Sequence, residues 1–213
     1  MEEQHKIELQ NVLPSDIEKR SFEIITQELG NIVLDSKEEP IIKRVIHTSA
    51  DFDYVDNLCF SENAVDRFQQ AIRNGVSIVT DTQMARAGIN KKQLARYGGE
   101  VYCFMSDEDV AEAAKKQGST RAVASMDKAA ALHCPLIFAI GNAPTALIRL
   151  YELIQDGILQ PEGIIGVPVG FVNVVEAKEL IMKAPVPYIV ARGRKGGSNV
   201  AAAICNALLY SMK

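Results

Sequence analysis

The sequence lacks the short motifs that identify the common cofactor-binding enzymes. No GxGxxG follows a predicted strand, so the usual dinucleotide fingerprint is missing. The stretch GRKGGS does not have the residue order of a phosphate-binding P-loop, and neither GxSxG nor HExxH occurs. Three scattered histidines and four scattered cysteines form no ligand cluster for a metal ion. We therefore expect an enzyme of another kind, with neither a bound cofactor nor a metal.

Membrane-spanning and secretory features are also missing from the sequence. No apolar run approaches the roughly 20 residues that span a bilayer. The N-terminal stretch MEEQHKIELQ has the composition of neither a signal peptide nor a transit peptide. The cysteines form no CxxC pair, and we expect them to be reduced and mostly buried. These features predict a cytoplasmic protein that does not enter a membrane.

The overall charge weighs against a nucleic-acid-binding protein, because the 213 residues carry a net charge of −4. From Gly163 to the C-terminus, six Lys and Arg face two Glu, a local net charge of +4 that leaves −8 for the rest. A basic zone on an acidic chain suits a compact anionic ligand better than a polymer, although chance could produce the same distribution. Length and composition fit a single domain, 1–213.

Short apolar runs alternate with amphipathic helical patterns along the chain. Six runs are rich in Val, Ile and aromatic residues, and most of them lack polar alternation, as is typical of strands that are buried on both faces. They are 57–60, 77–81, 100–105, 135–141, 163–167 and 188–192. Two helices precede the first run, near 15–29 and 38–49. The repeated strand–helix order predicts an α/β fold with a mostly parallel sheet flanked by helices on both faces.

Capping patterns predict where several of these helices begin. The capping-box spacing occurs three times, as Ser15 with Glu18, Ser36 with Glu39, and Ser106 with Asp109. Gly118 is expected to end the helix that Ser106 begins. Asn142 can cap a helix that starts near Pro144.

His47 is the most informative single residue. On a helix, Ile41, Ile42, Val45 and Ile46 share one face, and His47 falls almost opposite that face. The residue therefore faces water or a cleft. Two interpretations stay open, a solvated surface histidine and a general acid, the latter because histidine is the side chain that titrates nearest neutral pH.

The stretch RGRKGGS closes the last predicted strand and opens the final helix. Arg192 and Lys195 supply positive charge, Gly196 and Gly197 permit close approach, and Ser198 begins a helix whose free amides attract anions. This combination predicts a carboxylate or phosphate site. The alternative is an ordinary glycine-rich turn with solvated basic side chains.

Five further polar residues lie near the ends of predicted elements. Ligands of parallel sheets bind beyond the carboxyl ends of the strands, where Asp81 and Asn142 occur. Arg20 and Ser21 lie on the first helix, and Arg121 opens a later one. Asn142 could equally be only a helix cap, and each of the others taken alone could be a surface residue.

Seven stretches, taken together and in order across nearly the whole chain, resemble the precorrin-8X methylmutase family. They are RSFEII at 20–25, RVIH at 44–47, VTDTQMARAGI at 79–89, GSTRA at 118–122, AIGNAPTAL at 139–147, IIGVPVGFVNVVEAK at 164–178 and VARGRKGGSNVAAA at 190–203. Of these, GNAPTAL, GVPVGFV and RGRKGGS are long and chemically unusual, so together they make the resemblance specific.

The resemblance implies an α/β homodimer that binds a carboxylate-rimmed tetrapyrrole, precorrin-8X or its cobalt form. The family moves the methyl group on C11 to C12 without an external cofactor, giving hydrogenobyrinic or cobyrinic acid in cobalamin biosynthesis. It implies that His47 protonates the macrocycle near ring C. It also implies that Ser21 and Arg121 line the substrate site, and the arginine could come from the partner subunit.

Three other functions remain to be separated from this one. A corrinoid carrier would use the same pocket and cations, but it would not turn over. A nucleotide-dependent enzyme such as a dehydrogenase is disfavoured by the missing glycine fingerprint. A protein-interaction domain would leave the clustered loop motifs unexplained. The residues do not decide whether the substrate contains cobalt.

Overall fold

A computed structural model describes residues 12–212 and shows one six-stranded sheet between two layers of helices. The N-terminal stretch, with His5, and the final Lys213 lie outside the described residues. The expectation of no targeting peptide therefore concerns a part of the chain about which the structure says nothing. Within 12–212, no helix has the length and apolar character needed to cross a membrane.

The strands occur where the apolar runs predict them. They are β1 (Leu58–Phe60), β2 (Ser77–Thr80), β3 (Val101–Tyr102), β4 (Leu136–Ile140), β5 (Gly163–Gly166) and β6 (Tyr188–Ala191). Their order is β1-β6-β5-β4-β2-β3; β2 to β6 are parallel, and β1 pairs antiparallel with β6. The mostly parallel α/β sheet is confirmed. Only β3 is much shorter than predicted, because this edge strand pairs with β2 over just two residues.

Eleven α-helices lie within the described residues. They are α1 (Ile17–Leu29), α2 (Glu39–Ser49), α3 (Tyr54–Asn57), α4 (Ala64–Arg73), α5 (Gln83–Gly88), α6 (Lys91–Ala95), α7 (Glu108–Gln117), α8 (Arg121–Ala130), α9 (Pro144–Gln155), α10 (Val174–Ile181) and α11 (Ser198–Tyr210). On one face of the sheet, α11 packs against α2, α4 and α5, and α1 packs on α2. On the other face, α9 packs between α8 and α10. Helix α11 is apolar nearly all round, as expected of a helix covered on several sides.

The starts of three helices differ from the predicted capping boxes. The residues preceding α1, α2 and α7 are Asp16, Glu38 and Asp107, and none of them caps its helix through a side chain. Before α2, the Asp35 carboxylate accepts hydrogen bonds from the amides of Lys37 and Glu38 at 2.8 and 3.3 Å. The predicted Ser36 cap does not form, because the Asp35 carboxylate binds the amides at this turn. Gly118 ends α7 in a left-handed conformation, as predicted.

The cysteines are free thiols, but only half of them are buried. Cys103 and Cys205 are covered, Cys59 is partly exposed and Cys134 is exposed. The expectation of mostly buried thiols is therefore wrong for Cys134, which lies in the exposed turn before β4.

The strand order reverses between β2 and β4. From β2 the chain moves outward to β3, and from β4 it moves the opposite way to β5 and β6. In sheets with such a reversal, ligands bind in the crevice at the carboxyl ends of the strands, which here is the region of the loops that leave β2 and β4.

Candidate active site

A buried aspartate joins the loops that leave β2 and β4. Asp81 follows β2 and has no exposed surface. Its carboxylate accepts hydrogen bonds from the amides of Gly141, Asn142 and Ala143 at 2.8, 2.8 and 2.6 Å. Burial raises the pKa of Asp81, and the three amide donors act in the opposite direction. Because both oxygens are used inside the protein, Asp81 holds the β4–α9 loop, and its contact with the substrate stays a prediction.

Asn142 does not cap α9, although the sequence allowed that interpretation. The residue preceding the helix is Ala143, no side chain caps it, and Asp81 binds the amides just before it. The Asn142 side chain is exposed and forms no hydrogen bond within residues 12–212. Its amide group therefore remains a candidate ligand contact at the mouth of the crevice.

The start of α11 packs against the loops that leave β2 and β4. The hydroxyl oxygens of Ser198 and Thr82 lie 2.8 Å apart, and Thr82 also caps α5 by accepting from the amide of Ala85. Gly141 contacts the same point, since a Cβ there would lie 2.7 Å from the Cα of Ser198. The loops after β2, β4 and β6 thus meet around Ser198.

The RGRKGGS loop packs directly on the loop that follows β5. The amide of Gly197 donates to the Val167 carbonyl at 2.8 Å. A Cβ on Gly196 would lie 2.1 Å from the same carbonyl oxygen, so only glycine fits there. The close backbone approach that these glycines permit is therefore made to another loop of the same chain.

The basic side chains of this loop are largely paired with carboxylates. Lys195 forms ion pairs of 2.6 Å with both Asp51 and Asp53, which raise its pKa. Arg192 binds Glu179 at 2.8 Å. The predicted concentration of positive charge is thus smaller than the sequence indicated, and a ligand would have to share or displace these partners.

Lys178, one of the six Lys and Arg counted in the basic C-terminal zone, is fully buried. Its ammonium donates to the carbonyls of Gly193 and Lys195, both at 2.8 Å. Burial lowers the pKa of Lys178 to about 8. This lysine therefore supports the loop from beneath, a role that charge counting along the sequence could not distinguish from exposure.

His47 and Ser21 line one cavity of about 300 Å³ between α1 and α2. His47 is exposed, as its position on the predicted helix required. The Ser21 hydroxyl donates to the Ile17 carbonyl at 2.9 Å. Arg20 lies on the same helix, binds Glu23 at 3.3 Å and does not line the cavity.

Phe22 is a neighbour of His47 that sequence reasoning missed. The two rings are stacked, with centroids 5.3 Å apart and an interplanar angle of 15°. The Arg44 guanidinium lies 4.8 Å from the centroid of the Phe22 ring. The available signal was the position of Phe22 directly after Ser21, but its rotation toward His47 depends on how α1 packs on α2.

The predicted residues therefore fall into two neighbouring groups, with Arg121 on the opposite helical layer from His47. The ion pair between Lys195 and Asp51 joins the RGRKGGS loop to the end of α2, close to His47. Arg121 is exposed at the first residue of α8, in the opposite helical layer. Its helix start lies near that of α9, because the hydroxyls of Thr120 and Thr145 are 3.2 Å apart.

Comparisons with known proteins identify the family of this chain. The precorrin-8X methylmutase family model matches residues 16–211. The chain is 47% identical to the cobalt-precorrin-8 methylmutase of Priestia megaterium, covering 92% of this chain and 88% of that protein. It is 48% identical to that of Salmonella typhimurium, covering 94% and 96%. A crystal structure of the precorrin-8X methylmutase from Thermus thermophilus superposes with a TM-score of 0.83 at 40% identity, covering 92% and 96%. The chain belongs to the precorrin-8X methylmutase family.

Proposed function

We propose that this protein is an isomerase that moves the C11 methyl group of a precorrin-8 macrocycle to C12. The observation that carries the proposal is the exposed His47, which shares a cavity with Ser21 in a chain of this family. A general acid has to reach the reacting atoms from solvent or a cleft, and a histidine on the core face of α2 could not do so.

In the proposed step, the His47 imidazolium donates a proton to the macrocycle near ring C. The bond between C11 and the methyl carbon breaks as the bond to C12 forms, so the methyl group stays on the same molecule. A proton then leaves the product and the imidazole is reprotonated, which keeps substrate and product isomeric. The step consumes no external cofactor, and the protein contributes one positioned acid and a defined substrate orientation.

The rest of the site is proposed to bind the peripheral carboxylates of the macrocycle. A cavity of about 300 Å³ holds only part of a tetrapyrrole, which must therefore extend over the neighbouring loops. Asn142, Ser198 and the first amides of α11 are suited to carboxylate oxygens. Arg192 and Lys195 would exchange part of their carboxylate partners for those of the ligand.

Cobalt-precorrin-8 is the proposed natural substrate. Relatives from Priestia megaterium and Salmonella typhimurium, at nearly half identity over most of both chains, carry that substrate in their names. The test is a turnover assay with substoichiometric protein on the cobalt form and, separately, on precorrin-8X. Faster conversion of precorrin-8X would overturn the choice of substrate. A spectral change that stops at one equivalent, with free product shown not to inhibit, would favour a carrier.

The role of His47 is tested by His47→Asn. We expect conversion to slow by about 10²- to 10⁴-fold with ligand binding retained, the usual contribution of a positioned acid. His133→Asn is the matched control, because His133 is also exposed but lies in the turn before β4. An unchanged rate in His47→Asn would remove this residue from the mechanism.

A homodimer in which Arg121 of one chain completes the site of the other is part of the proposal. His47 and Arg121 belong to opposite helical layers of one chain. Phe171 and Val172 at the carboxyl edge are 82% and 78% exposed, an apolar surface that a second copy could cover. Refolding inactive His47→Asn and Arg121→Ala chains together would restore activity only if the two residues act across the interface.

The cytoplasmic location of the protein also remains a prediction.

A further inference from the structure

Lys178 is a buried cation without an acidic partner. It lies on α10 with no exposed surface, and no carboxylate within residues 12–212 forms an ion pair with it. Charged side chains are almost never fully buried unless they are paired, because an ion loses its hydration on burial. A methionine would fill a similar volume without that penalty. We therefore expect the ammonium group to have a role other than filling space in the core.

The backbone carbonyls of residues 193–195 all accept hydrogen bonds from within the protein, and Lys178 donates two of these bonds. Lys178 accepts no bond but donates to Gly193 and Lys195, the residues on either side of Arg194. The carbonyl of Arg194 receives a bond from the amide of Gly170 at 3.2 Å. All three carbonyl oxygens of 193–195 are thus engaged internally, and none is left to face an anion.

The cationic side chains of the loop make their contacts elsewhere. Arg192 pairs with Glu179, and Lys195 pairs with Asp51 and Asp53. The Arg194 guanidinium lies 5.5 Å from the centroid of the Phe171 ring. Among the described residues, the two carbonyls of Gly193 and Lys195 receive their side-chain hydrogen bonds from Lys178.

We infer that Lys178 is a positioning residue for the carboxylate-binding loop. Its ammonium draws the Gly193 and Lys195 carbonyls inward, so that the loop keeps its own carbonyl oxygens away from the substrate carboxylates while Arg192 and Lys195 exchange their carboxylate partners for them. The charge on Lys178 also adds positive potential beneath the loop. The inference rests on the proposed function, since it needs an anionic substrate.

Two variants distinguish the loss of the hydrogen-bond donors of Lys178 from a change in side-chain packing. Lys178→Met keeps most of the side-chain volume and removes the donors, whereas Lys178→Arg keeps the charge and the donors. Lys183→Met is the matched control, because it removes an exposed lysine just after the same helix. Should Lys178→Met fail to fold, Lys178→Gln, whose shorter stem can reach at most one carbonyl, is measured in its place.

The first readout is hydrogen exchange of the peptide that spans 192–198, measured without ligand. We expect Lys178→Met to accelerate exchange there by about tenfold, corresponding to roughly 1.4 kcal/mol of local stabilisation. Lys178→Arg is expected to restore much of the protection, and Lys183→Met to leave it unchanged. Equal exchange in the wild type and Lys178→Met would overturn the inference.

The second readout is the split between KM and kcat for cobalt-precorrin-8. Contacts to peripheral carboxylates are made before and during the reaction, so Lys178→Met should raise KM by about tenfold and leave kcat nearly unchanged. A fall in kcat with KM unchanged would also overturn the inference. Failure of the proposed function would look different, since the wild type itself would not convert substrate.

Discussion

The stacked pair of Phe22 and His47 determines how the proposed acid is presented. The Phe22 ring covers one face of the imidazole, and the Arg44 guanidinium lies against Phe22. An exposed histidine without such a neighbour would rotate freely about its side-chain bonds. The stack therefore restricts the ring to an orientation from which one face is available to a ligand.

Replacing Phe22 with leucine should slow catalysis without unfolding the protein. We expect a loss of about twofold to tenfold in kcat, because aromatic pairs contribute roughly 0.5–1.5 kcal/mol to orientation and packing. The His47 ring protons should lose their ring-current shift in the NMR spectrum, with His47→Asn providing the assignment. Phe104→Leu removes a comparable stacked pair with Tyr102, far along the chain, and serves as the control. Unchanged His47 resonances in Phe22→Leu would contradict this role.

Individual side chains were harder to predict than their positions along the chain. The spacing of the isoleucines correctly placed His47 off the core face, because helical periodicity is a local property. Asp81 and Lys178 look like surface charges in the sequence, yet both are fully buried. Their hydrogen bonds go to loops that are distant along the chain, and only the folded topology brings those partners within reach.

Among the loops, the junction between 167–170 and 193–197 depends on a glycine that has no room for a side chain. A Cβ at Gly196 would lie 2.1 Å from the Val167 oxygen and 2.7 Å from the Pro168 oxygen. Because both are backbone atoms, neither can move away without shifting a loop. The position of the RGRKGGS loop is thus set by backbone contact as well as by Lys178.

The Gly196→Ala variant should therefore lose both stability and substrate affinity. We expect the free energy of unfolding to fall by about 1–3 kcal/mol, the usual effect of overpacking, with a rise in KM. Gly166→Ala is the control, because its added Cβ would meet the side-chain methyl of Val190 at 3.3 Å. Urea unfolding and steady-state assays measure both effects. Equal changes in the two variants would argue against a special role for the loop junction.

Elements were predictable where burial is uniform and less so where single contacts decide. All six strands followed from apolar runs, since strands covered on both faces need continuous apolar sequence. The capping boxes failed because a serine and an acid at the right spacing compete with other acceptors, as Asp35 shows before α2. The edge of the sheet at which ligands bind was expected from the parallel strands, but the residues there could not be arranged without the loop conformations.

For the whole molecule, two buried titratable groups give folding stability a distinctive response to alkaline pH. Lys178 has a pKa of about 8 in the folded protein and 10.5 as its ordinary value. Cys205 has a pKa raised by burial from 9.0 to about 12. Stability rises with pH wherever the unfolded state binds more protons than the folded state. The two groups therefore act in opposite directions over overlapping ranges.

Between pH 8 and 10.5, unfolded Lys178 holds a proton that the folded protein has released, so its contribution to the free energy of unfolding increases with pH. Between pH 9 and 12, folded Cys205 keeps a proton that the unfolded chain loses, so its contribution decreases. Urea unfolding of the wild type, Lys178→Met and Cys205→Ala at intervals from pH 7 to 10.5 separates the two. The stability of the wild type relative to Lys178→Met should climb from about pH 8, and its stability relative to Cys205→Ala should fall above about pH 9. A flat difference for Lys178→Met would mean that its ammonium is not desolvated in solution, and the cation beneath the substrate loop would then not be the buried one seen in the structure.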